Sequence, residues 1–237
     1  MTEFTNPYQS PASTFAADAA TDERTNFIVK TYMHLAGAIG LFVILETLLL
    51  NMPGIEGMIG LMVGSKWSWL IVLGAFMLVS FVADRWARTA VNPSVQYLGL
   101  ALYVVAQAVI FAPLIYIAGM MDPTIISSAA WTTLGLFAML TVAVFVTRQD
   151  FSFLRTALLF GGFAAMGLIV VAIVFGFELG AIFTYAMIAL ACGYILYDTS
   201  NVLHHYRIGQ HVAAALALFA SVALLFWYIL RFYMDRR

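Results

Sequence analysis

Charge is what this chain has least of. Only 10% of its 237 residues are Asp, Glu, Lys or Arg, where a water-facing domain carries about 25%. So few ionic groups cannot cover a surface of that size, so a water-soluble globule is excluded and the solvent must be lipid. Excess positive charge is missing too. The net charge is −1 and the pI about 6.4, which leaves no basic field to hold nucleic acid. Cys192 is the single cysteine. An internal disulfide and a thiolate metal cluster are thereby excluded, and its apolar surroundings suit a small packing residue. No GxSxG, HExxH, P-loop or GxGxxG occurs, so the chain is expected not to be an enzyme. Tyr197-Asp198 matches half of the intramembrane aspartyl protease signature. The GxGD that would bring a second carboxylate to share the proton is missing, which excludes that chemistry.

What is abundant is apolar sequence, at 63% of residues and a mean hydropathy of +0.95. A helix needs about 20 apolar residues to cross a bilayer. Runs of that kind predict seven spans: Val29–Leu50, Trp67–Ala83, Tyr97–Ala118 with a kink at Pro113, Ile125–Val146, Thr156–Phe175, Ala181–Leu203 and Val212–Tyr233. The runs are continuous and do not alternate with period two, which excludes a β-barrel. The expected fold class is therefore an all-α integral membrane protein with short hairpin loops. Ile55–Gly64 is too short to cross and reads as an interfacial or re-entrant piece. Residues 1–26, rich in Ser, Thr, Ala and Pro and carrying Glu3, Asp18, Asp22 and Glu23, read as a flexible tail ahead of a bundle over 27–237. The tail begins acidic, unlike a secretory signal, so the first span is expected to persist as an anchor. Arg24, Lys30, Arg85, Arg88, Arg148, Arg155 and Arg207 fall on one side of a seven-span layout. The positive-inside rule then puts the N-terminus in the cytoplasm and the C-terminus outside, although Arg231, Arg236 and Arg237 near the C-terminus pull the other way.

Ionisable groups at membrane depth are costly unless paired or wet. Lys30 and His34 lie one turn apart in the first span, where Lys30 can snorkel to the headgroups. Glu46, near the other end of that span, reads as a solvated carboxylate. Asp198 is the most informative residue: it is short, cannot snorkel far, and needs a cation, donors or water. Tyr194 and Asn201 share its helix face at i−4 and i+3. Arg85, at the end of the second span on the same side, is the expected partner. Such a pair would hold the carboxylate ionised until protonation released the arginine, making a pH-sensitive latch. A static pair locking two helices is the plainer alternative. His204, His205 and His211 match no zinc spacing and read as a solvated loop. The stripe Ala213, Ala217, Ser221 and the Gly60/Gly64 pair read as close helix packing.

Three segments carry a resemblance. Thr147-Arg148-Gln149-Asp150-Phe151-Ser152-Phe153-Leu154 resembles a "KKDFSFL" loop, Tyr194-Ile195-Leu196-Tyr197-Asp198-Thr199 resembles "YILYDTQ", and Ala214 to Arg231 resembles "AALSLYLDFINLFLYLLR". Their order and spacing resemble the Bax inhibitor-1 family, in a bacterial form similar to the YccA branch, most closely from Phe145 to Arg231. The resemblance implies a seven-helix fold with a central helix wrapped by the others, a bacterial inner-membrane location, and a regulatory or stress-related role. For some members it implies a pH-sensitive calcium leak gated by an aspartate pair between spans six and seven and an arginine of span two. Asp198 takes the place of the first aspartate and Arg85 that of the arginine. Ser221 stands where the second acid would be, so Asp198 is left as the possible calcium contact, with Tyr194, Asn201 and Ser221 as channel-lining candidates. No cofactor is implied, calcium entering only as a transported ion. A shared proton or bound divalent ion favours two carboxylates, and a serine offers a neutral dipole. The YccA-like branch implies instead a partner, a membrane-anchored ATP-dependent protease engaged through the N-terminal tail.

Overall fold

The computed structural model describes residues 14–89 and 92–236. Eight α-helices follow one another: α1 (Thr21–Leu50), α2 (Ile55–Val63), α3 (Lys66–Ala87), α4 (Pro93–Met121), α5 (Pro123–Thr147), α6 (Leu154–Phe175), α7 (Gly180–His204) and α8 (His211–Asp235). A 3₁₀ turn at Ile208–Gln210 precedes α8. Seven of these are long and apolar enough to cross a membrane, as the sequence predicts, and α2 with its 9 residues is the short piece.

The helix ends are written into the sequence. Asn92 and Asp122 each cap a helix that begins on proline, accepting from the amides of Ser94 and Thr124 at 2.9 and 2.8 Å. Proline suits that position because its missing N–H would have had no partner there. Ser65 caps α3 through the Ser68 amide at 3.0 Å. Gly176, with φ 75°, ends α6 in the left-handed region that glycine enters without a Cβ penalty. Inside the spans, hydroxyls return to the helix backbone, as Thr31 does to the Phe27 carbonyl at 2.9 Å and Thr133 to Ala129 at 2.7 Å. In hydrocarbon no water would satisfy them. The helical assignment of α4 runs through Pro113 without interruption.

α8 is the axis of the bundle. Val212, Ala213, Ala214, Ala215, Leu218, Leu225 and Leu230 have no exposed surface, and α1, α4, α5 and α7 lie around it. Phe219 meets Phe42 of α1 and Tyr103 of α4 edge-on, each at 6.1 Å between ring centres. A second tight seam joins α3 to α4. A Cβ on Gly99 would stand 2.6 Å from the Ala83 carbonyl oxygen and 2.7 Å from the Ala87 nitrogen, so only glycine admits this approach. α3 and α6, by contrast, touch each other lightly and bury few side chains.

Two expectations need correction. The stretch read as a flexible tail over 1–26 is ordered from Thr14 onward, its first 13 residues lying outside the described chain together with most of the segment expected to meet a protease. Ala16 donates to the Tyr206 carbonyl at 2.9 Å and Ile208 to the Thr14 carbonyl at 3.1 Å, forming an antiparallel bridge between Phe15 and Arg207. α1 then begins at Thr21, where Asp22 and Glu23 in the first turn favour the positive helix end. Glu46 is not solvated: it is 5% exposed, and its carboxyl oxygens meet no hydrogen-bond partner among the described residues.

Candidate functional site

Asp198 lies in the last third of α7 and faces α8 rather than lipid. It is buried, and the Ser221 hydroxyl of α8 donates to its Oδ2 at 2.5 Å. The residue standing where a second acid was expected therefore binds the first acid directly.

The arginine beside this pair is Arg88. Arg85 is exposed on α3 and lines neither cavity described below. Arg88 grips Asp84, one turn earlier, with its Nε at 2.8 Å from both carboxylate oxygens. Hydrogen bonding to Asp84 raises the Arg88 guanidinium above its ordinary value and keeps it charged. Tyr206, in the α7–α8 loop, lies within reach of Arg88, Asp198 and Asp84 together. Burial first, then the nearby Asp198 charge, pushes its phenol well up, while Arg88 opposes the shift. Tyr103 of α4 also faces both Asp84 and Asp198 and accepts from Gln107 at 3.1 Å. The site thus holds two carboxylates, from α7 and α3, one guanidinium and two phenols.

The remaining candidates take separate places. The Tyr194 hydroxyl donates to the Leu158 carbonyl at 2.8 Å, tying α7 to α6 beside the cavity. Asn201 lies one turn beyond Asp198, towards the loop. His205 contacts the Asp150 carboxylate at 3.0 Å. Partial burial would raise Asp150, but the Ser152 amide and His205 outweigh it and hold the acid below its ordinary value. Ser200 clasps the same loop, accepting from the Phe151 amide at 2.9 Å. His211 sits 5.0 Å from His34 between ring centres, and His34 stacks on Tyr97 at 5.4 Å. No group of three or more His, Cys, Asp or Glu able to hold a metal occurs among the described residues.

Two cavities meet this constellation. The larger, of about 1180 Å³, runs between α3, α4, α6, α7 and α8. The smaller, of about 360 Å³, lies under the α7–α8 loop among Ser152, Arg155, Asn201, His205, Tyr206 and Gln210. Arg88, Tyr197 and Asp198 are walls of both. Asp84, Arg88, Tyr206 and Tyr103 were not singled out from sequence as members of the site. The i, i+4 spacing of Asp84 and Arg88 was the available signal for the first two.

A buried axis helix, seven membrane-length spans and a polar site towards the α7–α8 loop end of the bundle define a polytopic helical membrane protein with an ionisable centre. The sequence model described as "Inhibitor of apoptosis-promoting Bax1" matches residues 24–237, and the chain belongs to the Bax inhibitor-1 family. It is 35% identical over 115 residues to Bax inhibitor 1 of Schizosaccharomyces pombe, covering 45% of this chain and 41% of the yeast protein. It is 30% identical over 138 residues to Protein LIFEGUARD 4 of Arabidopsis thaliana, covering 56% of this chain and 54% of the plant protein. The chain thus spans about half the length of the curated relatives it matches. No solved structure matches it.

Proposed function

We propose that this protein is a slow cation leak, with calcium among its substrates, gated by protons at Asp198 and latched by Arg88. We place it in a bacterial inner membrane with its N-terminus in the cytoplasm and assign it no catalytic role. The observation that carries this reading is the common wall: the two cavities share Arg88, Tyr197 and Asp198. A cation passing from one to the other must pass a carboxylate, which attracts it, and a guanidinium, which repels it. Asp84 contributes the second carboxylate, from α3 instead of α8, and the Arg88 Nε–H shared between its two oxygens keeps the repelling charge in place. Protonation of Asp198 would weaken its hydrogen bond with Ser221 and free Arg88 to swing with Asp84. The greasy walls of the larger cavity argue for a small flux, because apolar constrictions dewet.

Calcium flux in liposomes across a range of pH tests the reading. Asp198→Asn should flatten the pH dependence, and Arg88→Gln should raise flux by about tenfold if the latch contributes about 1.4 kcal/mol. Identical pH profiles for wild type and Asp198→Asn would remove Asp198 from the mechanism. Absence of flux at every pH would remove the leak.

A further inference from the structure

The larger cavity continues far beyond the ionisable centre. Along α3 it is lined from Arg88 back to Ser65, which at 1.5 Å per residue is about 35 Å, enough to traverse a hydrocarbon core of about 30 Å. Its volume of about 1180 Å³ exceeds the roughly 300–1,000 Å³ of ordinary small-molecule pockets. The middle of the groove is walled by Leu73, Phe76, Ile169, Met187 and Leu190. Met77 and Phe81 line it and are also exposed on the outside of α3, by 50% and 68%. The groove therefore opens sideways, between the two helices that scarcely touch, onto the surface that faces acyl chains.

Its far end carries a different chemistry. Trp69 of α3 and Trp227 of α8 stack at 6.5 Å between ring centres and 21° between planes. Indole rings settle at the headgroup boundary. Lys66 lies one turn beyond Trp69 and Arg231 one turn beyond Trp227, both towards the same end and both lining the cavity. Lys66 Nζ donates to the Val174 carbonyl of α6 at 3.1 Å, which bridges the mouth. Glu178, just past α6, completes the rim. Two cations and one carboxylate, one helical turn outside an indole pair, match the depth and charges of a phosphate bearing an ammonium.

The geometry points to a phospholipid site: one acyl chain lies in the groove between α3 and α6, the phosphate rests between Lys66 and Arg231, and a headgroup ammonium meets Glu178. The site goes beyond the leak reading: its headgroup contacts lie at the opposite end of the same cavity from Asp198, so lipid retention and flux are changed by different substitutions.

The test is native mass spectrometry of the intact protein extracted from bilayers of equimolar phosphatidylethanolamine and phosphatidylglycerol. Wild type should retain one phosphatidylethanolamine in preference to phosphatidylglycerol. The double variant Lys66→Gln/Arg231→Gln should retain at least about tenfold less, a factor of ten being about 1.4 kcal/mol. Glu178→Gln should keep a bound lipid but lose the preference. Unchanged retention by the double variant overturns the site, and equal retention of both lipids by wild type overturns the headgroup assignment. Phosphatidylethanolamine carrying a photoreactive group in mid-chain provides a second readout that needs no variant. Crosslinks should fall on α3 and α6 near Leu73 and Ile169, and crosslinks confined to other helices overturn the groove as the chain's seat.

Discussion

The two halves of this bundle are built on opposite terms. Around α8 the packing is dense, with residue after residue fully buried against α1, α4, α5 and α7. Across the groove, α3 buries only Ala83 and Ala87, and α6 only Leu158 and Ala172. In lipid there is little hydrophobic drive to bring two helices together, since the tails are as apolar as leucine. Close contact must come from small residues and interlocking shapes, as in the run Val212 to Leu218 of α8 or the Gly99 seam. Where two helices do not interlock in this way, as with α3 and α6, they stay apart, and the gap becomes a cavity. The dense half holds the shape, and the sparse half holds the space.

That contrast can be broken most severely at its one shared joint. Gly99→Leu forces a side chain into the α3–α4 seam, where even a Cβ would stand 2.6 Å from a carbonyl oxygen. It should cost about 3 kcal/mol or more, read as a large drop in the thermal midpoint of the detergent-solubilised protein. An unshifted midpoint would mean that α3 is not seated on α4 as described.

A milder comparison weighs the two halves directly. Leu218→Ala in the fully buried face of α8 should cost about 2–5 kcal/mol, as large-to-small changes in tight interiors do. Ile169→Ala, on the groove side of α6, should cost under about 1 kcal/mol, because its neighbours already face open volume. Equal losses would erase the distinction between core and groove.

The smallest effect belongs to the loop outside the membrane. Asp150 is held below its ordinary value of 3.8, so its contribution is complete above that value and is lost as pH falls through the lowered one. Both partners are about half exposed, at 48% and 43%, which limits the contribution to about 0.5 kcal/mol. Asp150→Asn should therefore lower the midpoint slightly at neutral pH and by nothing in acid below the lowered value. A difference that persists undiminished in acid would assign the effect to something other than the ionised carboxylate.

The spans were readable because bilayer thickness imposes a length that few other structures need, and polar breaks such as Asn51-Met52-Pro53-Gly54 and Asp122-Pro123 mark their ends. Helix starts were less visible. Thr21 to Asn26 look like tail by composition, yet they continue a helix of 30 residues whose spiral has no reason to stop at the membrane surface. Asp198 stood out because a short acid in an apolar run demands a partner. Which arginine answers it was not readable, since Arg85 and Arg88 differ only in the rotation of α3 against α7, and tertiary packing sets that. Tyr206 and the Phe15–Arg207 bridge were equally hidden. Both depend on residues far apart in sequence meeting at one end of the bundle, and no local pattern announces them.

The bridge has a mechanical consequence. Two backbone hydrogen bonds join Thr14 and Ala16 to Tyr206 and Ile208, and the Arg207 guanidinium lies over the Phe15 ring at 5.4 Å. The leading residues and the connector between the last two helices are thus stitched into one ribbon. A pull on Thr14 is delivered straight to the tyrosine that lies beside Arg88 and Asp198.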